Sequence, residues 1–140
     1  MANEADIFFE TSIPIPFICA NATAIPYGTA VKVADPYTVS ISGGAAEVVG
    51  GITAAEKIAS DGVTTVPVWR SGIFKVYLSG SCTAGDAAVT ADTATFPNFF
   101  ARQTVSLSGN KIWGSFLETG TNGQTVLMEL LPQVATGITL

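Results

Sequence analysis

Eleven carboxylates, two cysteines and no histidine limit the chemistry open to this 140-residue chain. With histidine absent, the commonest general base, nucleophile activator and zinc ligand is missing. Cys19 and Cys82 make no metal site between them, and a serine nucleophile would need a lysine or another base beside it. Paired carboxylates remain. Asp86 with Asp92, or Glu118 with Glu129, would do glycosidase-type work if they faced each other. Asp86 follows Gly85 and Asp92 precedes Thr93, however, which are settings of turn residues. Gly120-Thr121-Asn122-Gly123 is too short to cradle phosphate and lacks a P-loop lysine; it predicts a hairpin turn at Asn-Gly. Trp69 and Trp113 would stack on a sugar if exposed, but Trp113, within Ile112-Trp113-Gly114, has the setting of a core residue. The reading is of a protein that is no enzyme and holds no metal or cofactor.

The elements that would position these groups are short β-strands. From Ser71 to Pro132 three apolar runs alternate with glycine-bearing turns. A period of two puts Phe74, Val76 and Leu78 on one face and Ile73, Lys75 and Tyr77 on the other. Val126, Met128 and Leu130 repeat the pattern. Earlier, Thr29–Val33, Tyr37–Ile41, Glu47–Thr53 and Val63–Trp69 also read as strands, with Gly50-Gly51 predicting a bulge or a close backbone approach. Pro67 predicts an edge strand or bulge for its run. Thr53-Ala54-Ala55-Glu56 is a capping box, which allows at most one short helix near 54–60 before Asp61-Gly62 stops it. The expectation is an all-β domain, mainly antiparallel, built as a small barrel or sandwich.

Three segments echo one another in the same order, about 60 residues apart. Gly28-Thr29-Ala30-Val31 resembles Gly85-Asp86-Ala87-Ala88-Val89. Val49-Gly50-Gly51-Ile52 resembles Trp113-Gly114-Ser115-Phe116, and Gly62-Val63-Thr64-Thr65-Val66 resembles Gly123-Gln124-Thr125-Val126. Residues 19–132 therefore read as one β-domain with two pseudo-repeated halves, followed by a tail at 133–140. Between the halves, Thr93–Arg102 reads as a loop with Phe96, Phe99 and Phe100, which either cap the core or meet a neighbouring subunit.

Residues 1–18 differ from the rest. Glu4, Asp6 and Glu10 surround Ile7-Phe8-Phe9, and Pro14 and Pro16 alternate with large apolar residues. Two prolines so close forbid a helix and favour an extended arm. Such an arm would either wrap its own domain or lie on another subunit, with Ile7, Phe8, Phe9, Ile13, Ile15 and Phe17 as its contact residues.

Composition bounds the partners. Hydrophobic residues make up 48% and charged residues only 12%, so the surface is either rich in Ser and Thr or covered by partners. A net charge of −5 with six dispersed cations argues against nucleic-acid binding, which needs clustered Lys and Arg. No apolar run approaches the roughly 20 residues that span a bilayer. The acidic start lacks the basic region of a signal peptide, so the chain reads as made in the cytoplasm with both thiols reduced and buried.

One resemblance accompanies this reading. Gly50-Gly51-Ile52-Thr53-Ala54-Ala55-Glu56-Lys57, Asp61-Gly62, Pro67-Val68 and Ser71-Gly72-Ile73-Phe74 resemble the small capsid decoration, or cement, proteins of tailed bacteriophages. Thr83-Ala84-Gly85-Asp86, Trp113-Gly114, Glu118-Thr119-Gly120 and Gly123-Gln124-Thr125-Val126 are similar to the same group. The resemblance implies a β-domain that acts as a homotrimer on the outer surface of the expanded head. There it would clamp neighbouring major capsid subunits at three-fold sites, with no catalysis. The first 18 residues are the segment expected to clamp. The alternatives are another virion β-domain (a head fibre base, or a tail or baseplate component) and a carbohydrate-binding module, which would need Trp69 or Trp113 on an exposed face.

Overall fold

The computed structural model describes residues 4–42, 48–90, 99–102 and 112–131. The described residues are all-β, in eleven strands: β1 Asp6–Phe9, β2 Ile15–Ile18, β3 Ala30–Ala34, β4 Thr38–Ile41, β5 Val49–Thr53, β6 Thr65–Trp69, β7 Gly72–Leu78, β8 Ala87–Thr90, β9 Phe99–Arg102, β10 Gly114–Phe116 and β11 Thr125–Leu130. Strands β2-β4-β3-β5-β6 close into one small barrel. Strands β7-β11-β10-β8-β9 form a second, closed by the pairing of β7 with β9, and β1 adds to it alongside β7. The predicted alternation holds along β7 and β11, where Phe74, Val76, Leu78, Val126, Met128 and Leu130 are buried.

The two barrels have one pairing scheme. Each has a single parallel contact, β2 with β4 and β7 with β9, and all other pairings are antiparallel. Even the isolated bridges correspond, Ile25 with Lys57 in the first and Cys82 with Gly120 in the second. The three sequence echoes fall on β3 and β8, β5 and β10, β6 and β11. At the middle echo the structural equivalence is displaced by one residue. Gly51 pairs with Val31 as Gly114 pairs with Ala88, so these two glycines occupy the same place.

That place tolerates no side chain. A Cβ on Gly51 would lie 2.1 Å from the Trp69 carbonyl oxygen, and one on Gly114 would lie 1.8 Å from that of Glu129. Gly50 is left without a partner across from β3, so the expected bulge is present.

Two cores hold the barrels. The first barrel's interior is Phe17, Cys19, Ile25, Val31, Val39, Val66 and Val68. The larger core fills the second barrel and extends into the seam, where Ala30, Ile52 and Trp69 form one cross-strand row on the outside of the first barrel. Every residue of β5 is buried because both of its faces are covered.

The short helix allowed near 54–60 does not form, and three expectations change at this level. Thr53 ends β5, and its hydroxyl accepts from Thr29 N at 2.9 Å and donates to Pro26 O at 2.8 Å. A seven-residue helix has too little intrinsic stability to compete with these bonds. Pro67 is not on an edge, since β6 lies between β2 and β5. Its carbonyl accepts from Ala54 N, and Pro16 stands opposite it in β2, so neither missing N–H falls on that ladder. Asn122-Gly123 forms no two-residue hairpin. Gln124 N bonds Thr121 O at 3.1 Å with only Gly123 at positive φ (83°), a type II turn. Finally, Phe99–Arg102 is strand β9 rather than loop.

Candidate interaction surface

The candidate catalytic groups among the described residues have structural roles. Asp86 accepts Thr83 N at 2.8 Å, a turn role, and Asp92 lies outside the described residues. Glu118 accepts Leu127 N at 2.8 Å, and Glu129 pairs with Ile73 and Ser115 across β11. Trp69 and Trp113 are buried, so neither offers a sugar-stacking face. Trp69 Nε1 donates to Glu10 Oε2 at 2.8 Å; Trp113 lies edge-on to Phe100, and its Nε1 has no partner among the described residues. Cys19 and Cys82 are free and buried, and desolvation raises both thiol pKa values. Among the described residues no group of three or more His, Cys, Asp and Glu could hold a metal ion. Ser108-Gly109-Asn110-Lys111 has the S-x-x-K spacing of a serine–lysine pair and also lies outside the described residues.

One polar cluster was not legible in sequence. Lys57 is buried, and its ammonium donates to Asn21 O at 3.0 Å, to Ile58 O and to Asp61 Oδ1 at 2.8 Å. Asn21 and Asp61 also bind the intervening backbone, through Gly62 N at 2.7 Å and Val63 N at 2.9 Å. The Lys57 hydrogen bond, then that from Val63, lowers the Asp61 pKa below its ordinary 3.8. The cluster ties one end of the first barrel and plays a structural part.

The arm residues divide by burial. Ala5 N bonds Gly28 O, β1 pairs with β7, Thr11 and Ser12 bond Ser71, and β2 is a wall of the first barrel. Residues 5–18 thus follow their own chain. Phe17 belongs to the first core and stacks on Tyr37 at 4.5 Å, so it is no surface contact. Ile7 packs against the second core. Phe8, Phe9, Ile13 and Ile15 remain exposed, at 55%, 61%, 83% and 42%. Of the phenylalanines expected either to cap the core or to meet a neighbouring subunit, Phe100 is fully buried and so no interface residue, because β9 turns it into the second barrel. Phe96 and the Phe99 side chain lie outside what the structure describes.

The outer face of β1, β7 and β11 carries a surface groove. The groove, of about 390 Å³, is lined by Phe8, Lys75, Glu118, Thr125, Val126 and Leu127. Lys75 Nζ stands 5.8 Å from the centroid of the Phe8 ring. No helix among the described residues is long and apolar enough to cross a membrane.

No protein-family model matches the chain, and no curated protein does. Among solved structures, the chain is similar to the head fibre gp8.5 N base of bacteriophage phi29. The TM-score is 0.54 at 12% identity, over 83% of this chain and 92% of that one. At this identity the likeness is one of fold alone.

Proposed function

We propose that this chain is a structural protein of a phage virion, seated on the outer surface of the head. The observation that carries the reading is the shared fold, which extends over most of both chains, with a protein whose place is a head fibre base. The sequence resemblance to capsid decoration proteins points to the same location by separate residues. Low charge agrees with a surface partly covered in an assembly, and the absence of histidine agrees with a non-catalytic role.

Two modes of attachment follow. In the first, homotrimers cement the expanded head at three-fold sites by clamping neighbouring major capsid subunits. Weak contacts repeated within each trimer would then hold through multivalency. In the second, which the fold comparison specifically favours, the double barrel is the base of a fibre. Electron cryomicroscopy of purified protein mixed with undecorated expanded heads of its parent virus separates them. Density bridging subunits at three-folds supports cementing, and an isolated projecting density supports a fibre base. Density only on the tail, or no binding, would overturn the head reading.

A further inference from the structure

The bulge in β1 turns two neighbouring phenylalanines to the same side. Simple alternation from Ile7, which faces the core, would send Phe8 outward and Phe9 back inward. The register skips Phe8 instead: Ile7 pairs with Phe74, and Phe9 with Ile73. Phe9 therefore shares the outward orientation of Ile73, and both rings are more than half exposed. A bulge that moves an aromatic ring out of a core and into water opposes the hydrophobic effect, and such features re-aim side chains where a function requires it.

Internal repetition shows how such a face is used. Across the second barrel, Phe9, Ile73, Glu129, Ser115 and Ala87 form one outward row. The corresponding row in the first barrel is Trp69, Ile52 and Ala30, and it is buried against the second core. One barrel docks by this row within the molecule, while its counterpart leaves the row accessible. Charge indicates the kind of occupant. Asp6, Glu118 and Glu129 lie on or beside the face, where Lys75 is the one cation among the described residues, within a chain of net charge −5. A second copy would bring like charge to like; a basic partner would not.

We propose that this face docks an extended polypeptide segment bearing apolar and basic side chains, with Phe8 and Phe9 as anchors and the adjoining groove receiving its side chains. That segment belongs to the head shell, an assignment that rests on the function proposed above.

The test compares co-sedimentation of the full chain with undecorated heads over a range of salt concentrations. The variants are Phe8→Ser/Phe9→Ser, Asp6→Lys/Glu129→Lys and, as a distant exposed control, Val63→Ser, each checked for native fold by circular dichroism. The phenylalanine pair should lose roughly tenfold or more in affinity, as central aromatic anchors do. Charge reversal should slow association and flatten its salt dependence, and the control should bind as wild type. Wild-type binding that both double variants retain overturns this inference while leaving the head reading intact. Absence of wild-type binding overturns both. Loss of self-association with head binding unchanged would give the face to a second copy and equally defeat the proposal. If the serine pair misfolds, the charge-reversed variant, altered only on the outer face, decides the matter.

Discussion

Replacing Gly114 by alanine tests the closest approach in the fold. The added Cβ would sit 1.8 Å from Glu129 O, 2.9 Å from its carbonyl carbon and 3.0 Å from Leu131 N. All are backbone atoms, so no side chain can swing aside. Nor can β11 retreat, because its other edge is paired with β7 from Thr125 to Leu130. The strands must separate by an ångström or so, which breaks Leu131 N to Trp113 O (2.8 Å) and weakens the Gly114–Leu130 pair. Two or three backbone hydrogen bonds at about 1 kcal/mol each, with about 1–2 kcal/mol of lost packing, give a destabilisation of about 3–5 kcal/mol. Against a typical domain stability of about 5–15 kcal/mol this is a large fraction. Gly80→Ala is the control: its φ is +87° with nothing within 4 Å of the added atom. Only the left-handed backbone is then penalised, by about 1–2 kcal/mol. Urea unfolding followed by fluorescence of the buried Trp69 and Trp113 reads both variants. Gly114→Ala unfolding within about 1 kcal/mol of wild type, or no worse than Gly80→Ala, would refute the steric argument.

Other expectations follow from the same packing. Phe17→Ala and Phe100→Ala should each destabilise by about 3–5 kcal/mol in the same unfolding assay, as core cavities do; a variant of either with unchanged stability would return that ring to the surface. Asp61→Ala should destabilise more than Lys57→Met, because the first leaves a buried ammonium without its carboxylate and the second removes the charge altogether. The opposite order in thermal melting would count against the cluster. Because the folded pKa of Asp61 is depressed, its contribution is complete above the ordinary 3.8 and is lost as pH falls through the lowered value. Acid titration of stability should accordingly show a low-pH loss that Asp61→Ala lacks. Cys19 and Cys82 should react with a thiol reagent only after unfolding, since both are buried and desolvation disfavours their thiolates; rapid labelling of the native chain would contradict this.

Much of this architecture is legible in the amino-acid order, for identifiable reasons. Period-two alternation in Phe74-Val76-Leu78 and Val126-Met128-Leu130 is a local property of an extended chain with one buried face. The echoes at about 60 residues reveal the repetition because turn glycines and strand starts must recur where a pairing scheme recurs. Gly50-Gly51 announces a bulge because few other residues fit one.

What the order of residues cannot contain is which face meets which. Trp69 and Glu129 occupy equivalent places in the two barrels, yet one is buried in the seam and the other borders solvent, because only the first barrel docks by that row. Phe9 is outward because a bulge in β1 changes its register against β7, a pairing of residues far apart in the chain. Lys57 stands where the second barrel has Gly120, and its buried ammonium is hydrogen-bonded by groups from Asn21 to Asp61 that meet only when the barrel closes. Local sequence decides which residues form strands and turns, since backbone sterics act between neighbours. Tertiary structure decides which of their faces is core, seam or open surface, since burial depends on what the rest of the chain brings against them.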